Sequence, residues 1–327
     1  MSALRPRLLL AEPAGFTPEV LATLRQWAEV ELGPVPDGGI GTALRDHDIV
    51  WIRLGHRVRA TDVAGPIRCR ILAVPATGLD HLDEEACTQA GVQIAALRGE
   101  VEFLRGVRAT AEHAIGLALA LLRRIPAAHA SVVAGRWDRE AFRGRELYGR
   151  VAGIVGMGRL GSIMAEYFRA LGMTVAGYDP REDFPVGLAR RCASLEELFS
   201  VADVISVHVA YTPATRSLIG EAHFARARPG AVVINTSRGG IIDQGALLKA
   251  LEEGRLAGAA LDVIDGEPHV GRDHPLVVFA RAHDTLLLTP HLGGNTSDSL
   301  AKAEGFIAEK ARRMWEELTA KSQVPSR

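Results

Sequence analysis

Thirty residues beginning at Val151 constrain this chain more than any others: VAGIVGMGRLGSIMAEYFRALGMTVAGYDP. The apolar run Val151 to Val155 reads as a strand buried on both faces. It leads without a linker into Gly156, Gly158 and Gly161 and then into a helix-forming stretch. Gly156 suits a tight turn, Gly158 lets a pyrophosphate approach the backbone, and Gly161 lets helix and strand pack closely. The helix then starts at Arg159 and Leu160 with its N–H groups aimed at an anion. Glycines alone could merely shape a strand-to-helix turn; the order strand, glycines, helix and acidic terminus gives the motif its meaning.

That terminus is Asp179, about twenty residues past the first glycine, where a carboxylate accepts from ribose hydroxyls and repels a 2′-phosphate. The expected cofactor is therefore NAD, with Arg181 beside the carboxylate as a counterweight toward NADP.

Around this unit, apolar runs of strand length alternate with helical stretches. The runs are Leu8–Ala11, Ile49–Ile52, Ile71–Val74 and Val92–Ala95, then Val151–Val155, Thr174–Tyr178, Val204–Val209, Ala231–Asn235, Gly258–Val263 and Thr285–Leu288. Such alternation is the signature of an α/β fold with parallel sheets. At 327 residues the chain exceeds one ordinary core, so two doubly wound lobes are expected. An apolar helical segment, Ala109 to Arg124 with a break at Pro126, reads as the join between them. A last helix from Ser297 to Leu318 carries Leu300, Ala303, Ile307, Ala311 and Trp315 on one stripe, and Lys321 to Arg327 should fray.

Composition removes several classes of function. A formal net charge of −1 offers no electrostatic footprint for nucleic acid or an anionic membrane. No apolar segment reaches the ~20 residues of a membrane span, and Leu8 to Ala11 is too short for a signal-peptide core. Cys69, Cys87 and Cys192 are sparse and unpaired in spacing, so neither a disulfide framework nor a metal site is expected, and a reducing, cytoplasmic setting follows. The partner left is a small-molecule substrate.

Three further segments follow the fingerprint in order: NTSRGGIIDQGAL (235–247), LDVIDGEP (261–268) and LTPHLGGNT (288–296). With ATGLDHLD (76–83) and AEH (111–113) ahead of them, the chain resembles the D-isomer-specific 2-hydroxyacid dehydrogenase family, in its phosphoglycerate dehydrogenase-like branch. The resemblance implies a Rossmann-type cofactor domain, 109–293, inserted in a flavodoxin-like substrate domain, 1–108 and 294–327. It implies NAD-dependent interconversion of a small D-2-hydroxy acid and its 2-keto acid. It places Arg238 on the substrate carboxylate and carbonyl, His291 as the acid/base, and Glu267 as its carboxylate partner. A planar guanidinium fork suits a carboxylate, and an imidazole titrates where a reversible proton transfer needs it. The same match puts Asp262 at the nicotinamide and His208, Thr236, Ser237, Gly293 and Gly294 along the cofactor. It puts the backbone of Ala76, Thr77 and Gly78 on the substrate carboxylate. Relatives pair through the region that here spans 109–140, so a homodimer is expected.

Departures from the family bear on the substrate. Arg53 matches a position that phosphoglycerate dehydrogenases use for phosphate, which makes a distal anionic group an expectation. Between Ile94 and Ala111 the chain is about five residues longer than many relatives, a length at which loops are often functional. This loop brings Arg98, Arg105 and Arg108, either as oxyanion ligands at the mouth of an interlobe cleft or as a solvated face paired with Glu100 and Glu102. Ala210 replaces a frequent proline, and bulky Tyr211 follows it. No appended regulatory module is expected after His291. Two other functions share the architecture: a phosphite- or phosphonate-type dehydrogenase, and a non-catalytic NAD-sensing protein of the co-repressor type.

Overall fold

In the computed structural model, which describes residues 5–322, the chain forms two compact units. One takes the described residues up to Val107 and resumes at Thr296; the other runs from Arg108 to Asn295.

The first unit is a five-stranded parallel sheet of β1 (Arg7–Leu10), β2 (Glu29–Leu32), β3 (Ile49–Trp51), β4 (Ile71–Val74) and β5 (Gln93–Ala96). Its order, β2-β1-β3-β4-β5, is the flavodoxin-like arrangement. Side chains alternate across the sheet, so Leu8 and Leu10 pack with Val20, Leu24 and Ile307 while Leu9 packs with Ala43, Leu44 and Cys87. The helix Ser297–Ser322 thus completes the core of the first unit from the far end of the sequence. Ala303, Ile307 and Ala311 of the expected stripe are buried. Helix continues through Ser322, and the rest of the expected fraying lies outside the described residues.

The second unit is a seven-stranded parallel sheet: β6 (Val151–Val155), β7 (Thr174–Tyr178), β8 (Arg190–Arg191), β9 (Val204–Val207), β10 (Val232–Asn235), β11 (Gly258–Leu261) and β12 (Leu286–Leu288). The order β12-β11-β10-β9-β6-β7-β8 is the Rossmann arrangement extended by one strand, with the strand order switching sides between β6 and β9.

All ten strands expected from apolar runs are present, and two more join them. β2 is an edge strand whose Glu29, Glu31 and Leu32 are exposed, and β8 is two exposed arginines, so neither shows an apolar run. The helix expected as a join, Ala109–Leu122, instead packs into the core of the second unit through Ala111, Ala114, Leu117, Ala118 and Leu121. Its break is not made by Pro126. Arg124 turns the chain at φ 51°, and Pro126 sits in the first turn of the next helix, Ile125–Val133, where its missing N–H costs nothing. Among the described residues no single helix is long and apolar enough to cross a membrane.

Candidate active site

Parallel sheets of this kind bind ligands beyond the carboxyl ends of their strands. In the second unit those ends carry Gly156 and Gly158 after β6, Asp179 after β7, His208 after β9, Thr236 to Arg238 after β10, Asp262 to Glu267 after β11, and His291 after β12.

The glycine turn is close-packed on one side and open on the other. Gly156 has φ 90°, and a Cβ there would lie 2.6 Å from the His208 carbonyl oxygen. At Gly161 a Cβ would meet the Gly156 oxygen at 2.0 Å, so helix Arg159–Ala170 reaches the strand only without a side chain. Gly158, by contrast, faces space; its nearest neighbour is the Arg181 guanidinium at 3.9 Å. Burial lowers the pKa of Arg159, which follows in the first turn of that helix.

Two buried polar atoms at adjacent strand ends have no protein partner: His208 Nδ1 and Thr236 Oγ1. The other nitrogen of His208 bonds Ser206 Oγ at 2.7 Å, and burial pushes the imidazole down to about 3, so the ring is neutral. Orphaned donors and acceptors beside a glycine cradle are what a bound polar ligand would satisfy. The residues therefore fit a dinucleotide. Asp179 is already occupied: its Oδ1 accepts from Arg181 N (3.0 Å) and Nε (2.9 Å), and its Oδ2 from Arg181 Nη2 (3.0 Å) and Met157 N (2.8 Å). Burial works to raise its pKa, but these hydrogen bonds take the carboxyl below its ordinary range.

His291 sits at φ 56°, a left-handed conformation uncommon outside glycine. Such a residue persists only where its surroundings over-determine it. Here Asp262 does so. Its backbone oxygen accepts the His291 N–H at 2.8 Å, and its carboxylate accepts Leu292 N (2.7 Å), Gly293 N (2.8 Å) and Thr289 Oγ1 (2.6 Å). His113 Nε2 lies 3.1 Å from both that carboxylate and Thr289 Oγ1. Asp262 thus holds the loop that carries His291.

The His291 ring is held on one side by Glu267, whose Oε1 is 3.1 Å from Nδ1. A carboxylate can only accept, so Nδ1 carries a proton and Nε2 is the nitrogen left for chemistry. Both side chains are about one-quarter exposed, at 27% and 28%.

Arg238 follows β10 on a turn fixed by buried Asn235, which donates to Arg238 O (3.0 Å) and accepts from Ser237 N (3.0 Å). Ser237 Oγ donates to Val207 O at 2.7 Å, tying the turn to β9. Gly239 then presses against the next loop, where a Cβ would lie 2.2 Å from the Ile264 carbonyl carbon. The Arg238 turn and the segment leading to Glu267 are in backbone contact for that reason. Tyr211 lies on Gly240, where a Cβ would meet its ring at 2.7 Å, and Gly294 faces open space.

In the first unit, Ala76 to Gly78 follow β4, and the Ala76 N–H bonds Val74 O at 2.8 Å. The extra arginines all carry carboxylate partners. Arg98 Nη1 reaches both oxygens of Glu84, at 2.8 and 2.9 Å, and Arg53 bonds Glu304 at 2.5 Å. Arg105 pairs with Glu102 at 3.3 Å, Arg108 with Glu166 at 3.2 Å, and Glu100 takes Lys310 instead.

Sequence reasoning misses three contributors. His113 reads by default as surface or structure, and its signal is the AEH motif itself. Thr289 precedes the PH pair in LTPHLGG, and Gly239 stands directly after Arg238 in SRGG. Each positions a candidate residue.

A glycine cradle with orphaned polar atoms beside it, and a carboxylate-backed histidine on a neighbouring strand end, define a dinucleotide-binding protein with acid/base machinery. The family model for the NAD-binding domain of D-isomer specific 2-hydroxyacid dehydrogenases matches residues 115–293, and the chain belongs to that family. Its cofactor is NAD. The chain is 34% identical over 277 residues to a D-3-phosphoglycerate dehydrogenase of Methanocaldococcus jannaschii, covering 83% of this chain and 50% of that one. It is 34% identical over 311 residues to the Mycobacterium tuberculosis enzyme of the same name, covering 94% and 56%. The chain spans about half the length of these curated relatives. Among solved structures, D-mandelate dehydrogenase of Rhodotorula graminis is 30% identical with a TM-score of 0.80, covering 94% of each chain. D-lactate dehydrogenase of Aquifex aeolicus, complexed with NAD and lactic acid, is 25% identical with a TM-score of 0.81, covering 95% of each chain.

Proposed function

We propose that this protein is an NAD-dependent dehydrogenase that interconverts a D-2-hydroxy acid and its 2-keto acid. The observation that carries the reading is the His291–Glu267 pair at 3.1 Å, set on strand ends of the same sheet as the glycine cradle. When bound, NAD supplies or accepts the hydride at the substrate's second carbon. Arg238 grips the substrate carboxylate and polarises the adjacent carbonyl, because a guanidinium stays charged at every working pH. His291 Nε2 delivers a proton to the carbonyl oxygen during reduction and removes it during oxidation. Glu267 fixes the ring and its tautomer, so the reacting nitrogen does not rotate away.

The test is a panel of D-2-hydroxy acids with NAD, and 2-keto acids with NADH, read by NADH absorbance. Turnover of at least one pair by the wild type, lost in His291→Asn, supports the reading; no turnover of any member overturns it.

We also propose that two copies pair through the helix Ile125–Val133 and the segment running on to Trp137. Ile125, Val132 and Val133 are exposed, and Trp137 is 87% exposed, an apolar surface that a monomer rarely leaves open. Sedimentation of the wild type as a dimer and of Val133→Glu as a monomer supports this; a monomeric wild type refutes it. Three free, buried cysteines suit a reducing cytoplasm.

A further inference from the structure

β9 is buried along its whole length, yet one of its residues is polar: Ser206, with no exposed surface. A hydroxyl inside a sheet needs a partner. Among the described residues Ser206 Oγ has one, His208 Nε2 at 2.7 Å. A hydroxyl and a neutral imidazole each hold one proton, so two arrangements satisfy that distance. If Ser206 donates, Nε2 accepts and the ring proton sits on Nδ1. If Nε2 donates instead, the hydroxyl proton stays inside the sheet without an acceptor, and Nδ1 is a lone pair without a donor. The first arrangement buries one unsatisfied group and the second buries two, each at a cost, so the first prevails.

The group left over in the first arrangement, the Nδ1–H, belongs to a residue pressed against the glycine turn. The His208 N–H donates to Val155 O at 2.8 Å, and a Cβ on Gly156 would lie 2.6 Å from the His208 carbonyl oxygen. Val207 pairs with Asn235 across the sheet, so the next residue of β10, Thr236 with the other orphaned atom, stands beside His208. We propose that Ser206 is a positioning residue for the cofactor: by donating to Nε2 it holds His208 in the Nδ1–H form, and that N–H donates to an acceptor oxygen of the bound NAD. Phosphates and sugars are rich in acceptors, and a ring offering them a lone pair would be mismatched. Because burial keeps the imidazole neutral down to about pH 3, the same tautomer is on offer at every working pH. The inference rests on the cofactor site and not on the proposed substrate chemistry.

The experiment is nitrogen NMR of protein with isotopically labelled histidine, in which protonated and unprotonated ring nitrogens are well separated. The His208 signals are identified by their loss in His208→Gln. In the cofactor-free wild type, Nδ1 should carry the proton between about pH 5 and pH 8, where an ordinary histidine titrates. Adding NAD should move the Nδ1 signal while leaving that nitrogen protonated. Ser206→Ala should let the proton redistribute onto Nε2 and raise the NADH Kd, read by fluorescence titration, about three- to tenfold, the usual worth of one hydrogen bond. Ser206→Thr, which keeps the hydroxyl, should restore both readings. A wild type with its proton on Nε2, or an Nδ1 signal unmoved by NAD, overturns the inference whether or not the variants fold. So does a Ser206→Ala protein that changes tautomer without losing NADH affinity, or loses affinity without changing tautomer. None of these readings requires turnover, so their failure leaves the dehydrogenase reading standing.

Discussion

The two units obey the same topological rule and use it in opposite ways. In the second, the strand ends hold polar atoms in reserve: His208 Nδ1 and Thr236 Oγ1 lack protein partners, and Gly158 faces open space. In the first, the arginines at the ends of β3 and β5 are bound by the chain's own carboxylates, Glu304 and Glu84. A strand end equipped to bind therefore differs from one merely rich in charge by what remains unsatisfied after folding. Counting arginines in the sequence cannot reveal that difference, because a guanidinium spent on an internal partner looks the same on paper as one kept for a ligand.

The sharpest way to break the comparison is at His291. If the second unit is the equipped one, His291→Asn should lower kcat by about 10²- to 10⁴-fold, the usual worth of a positioned acid/base. NADH affinity, measured by fluorescence titration, should be nearly unchanged. A variant with full turnover would remove the imidazole from the mechanism. Next in size is the bracket beneath it. Asp262→Asn keeps the shape of a side chain that is 1% exposed but turns an N–H₂ toward donors that now face acceptors. It should relax the left-handed turn at His291 and cost about 10- to 100-fold in kcat, as expected for a small misplacement of a reacting group. Hydrogen exchange at Leu292 and Gly293 should rise in parallel. Lost turnover without faster exchange would mean that Asp262 touches cofactor or substrate and does more than hold the loop. A smaller effect is expected at Gly239→Ala, whose new Cβ would collide with the Ile264 backbone. Overpacking of this kind costs about 1–3 kcal/mol, visible as a lower denaturant midpoint. An unchanged midpoint would show that the two loops are not locked together.

The parallel core is legible because its strands are buried on both faces and read as unbroken apolar runs. β2 and β8 are not, since exposed edge strands such as EVEL carry no such run. The catalytic candidates are legible as motifs, whereas the devices that place them are not. The φ of His291 leaves no mark on its residue type, and the sequence around Asp262 gives no sign that its carboxylate also accepts from Thr289, Leu292 and Gly293. The pairing of Arg53 is the least legible of all. Its partner lies 251 positions away on a helix that returns to the first unit, and a single Glu within an apolar stripe gives no sign of what it pairs with.

The mildest test returns to the one strand end of the second unit that resembles the first. Asp179 is gripped by Arg181 as Glu304 is gripped by Arg53, but Arg181 is 52% exposed and free to swing out. Ribose hydroxyls reach Asp179 only by displacing it, so Arg181→Ala should tighten NADH binding a few fold, about 0.5 kcal/mol for an exposed pair screened by solvent. NADPH binding should weaken, because the carboxylate would then repel a 2′-phosphate without a neighbouring cation. Stability should respond to pH in a defined direction. Hydrogen bonds from Arg181 depress the folded-state pKa of Asp179, so their contribution is present above the unfolded value of about 3.9 and is lost as pH falls through the lower folded value. The stability gap between wild type and Arg181→Ala should therefore exist at neutral pH and close in acid. NADH affinity unchanged by the substitution would show that the ribose never competes with Arg181, and that this strand end is as self-satisfied as those of the first unit.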